Sequence, residues 1–449
     1  MSDASLSTAL ALTRRYAVGD TDPVRVARAA LERAAAMPAV FLSVTPARAL
    51  AAAAASATRW RLGQPLSALD GVPVAWKDLF DMAGTVTTAG AEAFRARAPA
   101  AHDAALVTAA ERAGMVSIGK TSLSELAYSG LGLNPHFGTP TNPRLDRGTR
   151  VPGGSSSGAA IAVARGVVPI SIGTDTAGSI RIPSAFNGLT GYRASTTRYA
   201  RAGVTPLSAT LDTLGPLAHG VADCAAFDAA VRGAAHPVDP ASLRDHCFVV
   251  DPALLERYRV GTDVARNLQR FAERLTAGGA RIVTRPLSTL ADVHALIHAQ
   301  GWLGALEAFD QYRGLLDSDD AQRLDPRVRT RLELARAVPA ARLTELRAAR
   351  TALIARFAAE LGDATLLAPT VAHVAPALAQ LEADPARFAE VNLQTLALTM
   401  PGSLLDTPAI AMPSGADAAG MPTGIQLMRA QGDDDRLLAV ARAIETLPL

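Results

Sequence analysis

The chain has 449 residues, 49% of them hydrophobic and 19% charged, a balance that suits a globular protein able to bury a substantial core. Its 44 basic and 42 acidic residues leave a net charge of +2 with no basic tract, which argues against a nucleic-acid or membrane-surface partner. No apolar run is long enough to span a membrane. The start lacks a secretory pattern and Cys224 and Cys247 are the only cysteines, so a reduced, cytoplasmic setting is expected.

From the N-terminal side, TDPVRVARAALERAA predicts a helix capped by Thr21 or Asp22 and opened by Pro23. A second helix covers about 46–62. GVPVAWKDLF then reads as a turn and a short strand with Lys77 near its end. In DAALVTAAERAGMVSIGKTS a helix stops at Gly114 and a strand follows over 115–118, the connection expected of an α/β fold. A Pro- and Gly-rich loop over 132–154 leads into a helix of small residues, SSSGAAIAVARG. After it an apolar run, 167–172, reads as a buried strand that breaks into the turn GTDTAGSIRIP.

From about 225 to 355 the Gly-rich loops vanish and Arg/Ala/Leu/Glu helices dominate. Strand patterns return in ATLLAPT, DTPAIAMPSG and PTGIQLMRA, and DDRLLAVARAIETL closes the chain as a helix. Because strand signals flank the helical stretch, one interrupted domain over 1–449 is expected. Its core comprises 65–225 and 356–449, with a helical segment of about 225–355 shaping substrate access. The fold class is α/β, a mixed central sheet with helices on both faces.

The candidate chemistry gathers in the first half. No H-E-x-x-H, clustered Cys/His spacing or G-x-x-x-x-G-K-[ST] loop is present, so no metal or cofactor is expected. Gly154-Ser-Ser-Ser-Gly158 matches a G-x-S-x-G elbow around Ser156, but a polar loop, not a strand, precedes it. The serines there also suit capping of the following helix. Ser179 sits among small residues at a strand-to-turn junction, and a serine hydroxyl needs a base to become a nucleophile. No histidine lies within 30 residues of it. Of the 44 basic residues only Lys77 and Lys120 are lysine, the other 42 being arginine. Unlike guanidinium, an ammonium can be stripped of its proton by burial.

Lys77 after GVPVAW, the block PGGSSSG and the turn GTDTAGSIRIP together resemble the amidase signature family of amide hydrolases. FNGLTGYRAS, LDTLGPLAHGVADC and MPTGIQLM continue the likeness, which covers all but the helical stretch. Ser155 and Ser179 stand 24 positions apart, as the family pattern requires. The resemblance implies a triad in which Ser179 forms the acyl intermediate and Lys77 is the base. Ser155, its peptide bond to Gly154 being cis, would bridge them. Bringing a lysine from about 10.4 to near 7.5 costs roughly 4 kcal/mol, within reach of burial. Asp78 would be turned away from Lys77 by strand alternation.

Backbone N–H groups of Thr176, Ala177 and Gly178 are the expected oxyanion donors. Ala177 stands where relatives commonly have glycine, a substitution that would strain the turn if positive φ is required. Tyr128, Ser129 and Gly130 are expected substrate contacts. Asp175 and Arg181 are read as fixing the turn, and Lys120 as a surface or loop-anchoring residue. Tyr192 and Arg193 replace a Lys-Pro pair frequent in relatives.

The expected substrate is a small or aryl amide, with esters and carbamates (urethanes) also open to the same apparatus. Oligomeric state is left open, a homodimer included. Three alternatives remain: the amidase component of a tRNA-dependent amidotransferase, a Ser-His-Asp esterase built on Ser156, and a non-catalytic binding protein on the same scaffold.

Overall fold

The computed structural model describes residues 8–143 and 148–448; the middle of the expected 132–154 loop lies outside the described residues. Among the described residues eleven strands form one sheet: β1 (Phe41–Val44), β2 (Pro73–Lys77), β3 (Val116–Thr121), β4 (Ile170–Asp175), β5 (Thr190–Arg193), β6 (Thr213–Ala218), β7 (Cys247–Val250), β8 (Arg281–Thr284), β9 (Thr365–Pro369), β10 (Ala409–Ala416) and β11 (Pro422–Met428). Their order across the sheet is β1-β3-β2-β4-β6-β5-β10-β11-β9-β7-β8. β2 runs parallel to β3 and β4, and β7 runs parallel to β8 and β9. The remaining neighbours are antiparallel.

Helices cover both faces of this mixed sheet, and β2 shows why. Val74 and Trp76 point into a cluster with Phe80, Val107, Phe227 and Leu437. Ala75 points the opposite way, into a cluster with Ile118 and the small residues Ala159–Val163. Alternation with a period of two places Lys77 on the Ala75 side, toward the helix Ser157–Ala164. That helix can sit close to the sheet because its side chains are small: a Cβ on Gly158 would come within 2.7 Å of the Val40 carbonyl oxygen. The predicted N-terminal helix runs Pro23–Ala35, with Asp22 accepting from the N–H groups of Val24 and Arg25.

The structure corrects two boundaries. The sheet begins before residue 65, because β1 pairs with β3. FLSV is too short for its alternation to stand out. The segment 225–355 is not wholly helical: β7 and β8 flank the helix Thr262–Ala277 and extend the sheet beside β9. Each has only four residues, the shortest run in which alternation can register. The rest of the segment supplies the helices Ser288–Gln300, Leu303–Leu316, Pro326–Glu333 and part of Ala341–Leu361.

The β1–β3 contact depends on Gly119. A Cβ there would overlap the Ser43 carbonyl oxygen and approach the Val44 Cα to 2.9 Å, both backbone atoms that cannot rotate away. Gly119→Ala should therefore cost about 1–3 kcal/mol in chemical denaturation; a variant as stable as the parent would show that this edge yields freely.

Candidate active site

β2 delivers Lys77 at its last position, where the side chain is wholly buried. Its Nζ donates to Ser155 Oγ at 2.7 Å and to Thr174 Oγ1 at 2.8 Å. Both partners are neutral hydroxyls. Burial pushes the amine down to about 7, against the weaker pull of the Asp212 and Asp175 carboxylates. Asp78, the first residue of the turn beyond β2, pairs with Lys120 at 2.6 Å and not with Lys77. Lys120 is therefore not a surface residue. It is fully buried and anchors the neighbouring loop through the Val86 carbonyl and the Thr87 hydroxyl.

The peptide bond Gly154–Ser155 is cis. Gly154 donates to the Gly130 carbonyl at 2.8 Å, and a Cβ on it would meet the Gly132 nitrogen at 2.6 Å, so the chain passes here only as glycine. Ser156 is also buried. Its Oγ donates to the Thr174 carbonyl at 3.3 Å instead of capping the helix it precedes, so the expected serine cap is not formed. It does not line the cavity described below, and this removes the nucleophile from the Ser156 esterase alternative.

Ser179 stands one turn beyond β4. Its carbonyl accepts from Ser156 N at 3.2 Å, which ties the two serine loops together. Lys77 and Ser155 are thus in direct contact, whereas the Ser179 hydroxyl makes no hydrogen bond among the described residues and opens onto the cavity. Such bonds often tighten only when substrate is bound. The turn itself is held by Asp175, which accepts from Gly178 N at 2.8 Å, from Ile180 N at 3.2 Å, and from two nitrogens of Arg181 at 3.0 Å each. Burial alone would raise the Asp175 carboxyl, but Arg181 and Arg193 beside it hold it below the usual carboxylate range. Arg181 reaches on to Gln426, Thr399 and Ser403, and so joins the turn to the C-terminal strands.

The expected oxyanion donors need one correction. The Gly178 N–H is spent on Asp175; its φ of +129° and the Thr399 hydroxyl, which a Cβ would overlap, explain the glycine instead. The N–H groups of Ala177 and Ser179 have no acceptor among the described residues. Thr176 and Ala177 both line the cavity. Ala177 is not at positive φ, so its methyl strains nothing.

The cavity holds about 350 Å³ and is lined by Ser179, Thr176, Ala177, Tyr128 and Ser129 together with residues of 300–338 and 389–400. Gly130 is not part of its wall. Its N–H is bonded to Asn392 Oδ1 at 2.9 Å and Leu396 covers it, so it positions the loop instead of touching a substrate. Four residues with a part in the site were not anticipated. Thr174 was within reach of sequence reasoning, since parallel β2 and β4 end side by side. Asn392, Thr399 and Arg331 arrive from more than 150 positions away and carry no local signal.

Among the described residues no group of three His, Cys, Asp or Glu side chains clusters as metal ligands, and the two cysteines are unbridged. A family model described as Amidase matches residues 25–438. The chain is 34% identical over 419 residues to the 2-amino-5-chloromuconic acid deaminase of Comamonas testosteroni, covering 89% of this chain and 87% of that protein. It is 32% identical over 465 residues to a glutamyl-tRNA(Gln) amidotransferase subunit of Cupriavidus necator, with coverage of 93% and 91%. A crystal structure of an amidase matches with a TM-score of 0.86 at 31% identity, over 98% of this chain and 100% of that one. The peptide amidase of Stenotrophomonas maltophilia matches with 0.80 at 25% identity, over 98% and 97%. Fold and relatives together define an enzyme of amide C–N bonds. The chain belongs to the amidase signature family.

The buried amine makes stability depend on pH. The unfolded chain keeps the Lys77 proton up to about 10.5, whereas the folded protein releases it near 7. Stability therefore rises with pH between these values, and the penalty for burying Lys77 is greatest at and below pH 7. Lys77→Met should be more stable by about 1–3 kcal/mol at pH 6–7, the advantage fading toward pH 10. Denaturation at both pH values checks this, and a gain independent of pH would contradict it.

Proposed function

We propose that the chain hydrolyses amides by acyl transfer to Ser179, with Lys77 as general base and Ser155 as the relay between them. The observation that carries this reading is the burial of Lys77 against two hydroxyls, with a 2.7 Å bond to Ser155, behind the turn that presents Ser179. As Ser179 Oγ attacks the amide carbon, its proton passes to Ser155 while the Ser155 proton passes to Lys77. The resulting ammonium returns a proton by the same path to the departing amine. Water then attacks the acyl-serine, gives its proton to the same relay, and Ser179 regains its hydrogen as the acid leaves.

The tetrahedral oxyanion would be held by the N–H groups of Ala177 and Ser179; one such donor is commonly worth about 3–4 kcal/mol in the transition state. Esters and carbamates form a comparable oxyanion and are expected substrates too. No step calls on a cofactor. The part of 225–355 that walls the cavity would set access to Ser179.

The relatives named as components of a glutamyl-tRNA(Gln) amidotransferase keep a second reading open, in which the chain serves a complex of several different chains. Turnover of simple amides by the isolated chain supports the first reading; activity only with added partner chains supports the second.

Ser179→Ala should abolish both turnover and labelling by a fluorophosphonate. Lys77→Arg should fold yet lose at least about a thousandfold in kcat/KM, since guanidinium stays protonated. With the wild type, kcat/KM should fall about tenfold per pH unit below pH 7 and level off above it, following the free base. A profile flat from pH 5 to 9, or robust turnover by Lys77→Arg, contradicts the proposal.

A further inference from the structure

The cavity that opens on Ser179 contains a cation without a counter-ion. Four guanidinium groups drawn into the interior each meet a carboxylate: Arg181 and Arg193 meet Asp175, Arg198 meets Asp228, and Arg429 meets Asp433. Arg331 forms no ion pair among the described residues. Asp325, the carboxylate whose charge reaches it, is held by Arg327 at 2.7 Å. Burial pulls the Arg331 guanidinium below its ordinary value, yet a guanidinium keeps its proton at any pH the protein meets. A charge withdrawn from water in this way is costly unless something pairs with it.

The group is fixed in place, and its chelating edge is free. Arg331 Nη1 donates to the Tyr128 carbonyl at 2.5 Å, and the guanidinium lies 4.4 Å over the Tyr128 ring. That is one of its five N–H bonds. The Nε–Nη2 fork is unspent, and protein does not seal it off. In the same cavity wall Gln300 Oε1 is buried with no hydrogen-bond partner. The rest is largely hydrocarbon, with Leu207, Trp302, Leu396 and Met400 prominent, and no aspartate or glutamate. Such surroundings strengthen a charge-assisted, two-point bond between the fork and an anion.

We infer that the substrate is an amide carrying one carboxylate, which the Nε–Nη2 edge of Arg331 chelates while Ser179 attacks the amide carbon. This rests on Ser179 being the reacting group. Arg331 is then the specificity-determining residue, with Tyr128 holding it in position, and Gln300 Oε1 accepts an N–H of the same molecule. A substrate ammonium is not provided for: it would find only that neutral carbonyl and would face the charge of Arg331. Two forms share this chemistry. In a half-amide of a dicarboxylic acid the carboxylate lies on the acyl side of the scissile bond. In an N-acyl amino acid it lies on the amine side.

The test measures release of ammonia or amine by the full chain from acids and their neutral counterparts. Succinamate, glutaramate and adipamate are set against butyramide, valeramide and hexanamide. N-acetylglycine and N-acetyl-β-alanine are set against N-ethyl- and N-propylacetamide, and glutamine is run alongside. At least one acid should exceed its neutral counterpart about thirtyfold in kcat/KM, and the series it belongs to tells which side of the bond faces Arg331. Glutamine should lie below glutaramate. Arg331→Gln should lower the acid-to-neutral ratio by at least about tenfold; because it is a ratio, a general loss of activity cancels. Should that variant not fold, the wild-type protein still decides: glutarate should inhibit valeramide hydrolysis competitively, and pentanediol should not. Ratios at or below one in both series, a ratio that survives Arg331→Gln in folded protein, no inhibition by glutarate, or glutamine preferred to glutaramate would overturn the inference. Ser179→Ala separates the two claims: if it abolishes turnover while the wild-type ratios stay near one, only the substrate assignment falls. If it retains turnover, the reading of the site falls and the inference with it.

Discussion

A primary amine buried against two hydroxyls is the constraint on which this site depends. Lys77 sits where water cannot reach it, and its hydrogen-bond partners, Ser155 and Thr174, bring no negative charge. Burial pushes the amine down to about 7, and the proposed mechanism uses it as the base. The other lysine shows the contrasting solution. Lys120 is just as deeply buried, yet it touches the Asp78 carboxylate and holds a loop in place. Lys77, the last residue of β2, and Asp78, the first of the turn beyond it, thus serve different partners. The turn carries the carboxylate that suits a structural lysine away from Lys77.

The second requirement is a rigid floor for Ser179. Asp175 spends its carboxylate on the N–H groups of the turn and on Arg181, while Arg193 donates to the Asp175 carbonyl at 2.7 Å. Because Arg181 also reaches Gln426 in β11 and the carbonyl of Thr399, the turn after β4 is fixed by strands and helices from the far end of the chain. Buried charge of this kind is costly to break, since removing one partner strands the other. The arrangement leaves the Ala177 and Ser179 N–H groups unspent, where developing negative charge could meet them.

The parts of the site written into short stretches were legible, and those assembled across the chain were not. Lys77, Ser155 and Ser179 each sit in a run whose glycine and serine pattern, or whose rarity of residue type, marks it. Tyr128 and Ser129 followed from the same likeness and do line the cavity. Gly130 and the Gly178 N–H were misjudged because both depend on where a distant or neighbouring acceptor falls: Asn392 Oδ1 for one and the Asp175 carboxylate for the other. Much of the cavity wall comes from 300–338, which read only as part of a helical stretch, and from 389–400, which carried no signal of its own. For the fold, long periodic helices and apolar strands were evident, whereas the four-residue strands β1, β7 and β8 owe their identity to pairing with neighbours and not to any pattern of their own.

The scarcity of lysine makes the central claim open to direct observation. A protein labelled with ¹³C at lysine Cε yields two signals, those of Lys77 and Lys120, and Lys77→Met assigns them. The account predicts that the Lys77 signal moves from the ammonium to the amine position with a midpoint at about 7. A Lys77 signal that stays at the ammonium position beyond pH 9.5 would contradict it, because no neutral amine would then exist to draw the proton from serine at the pH where the enzyme must work.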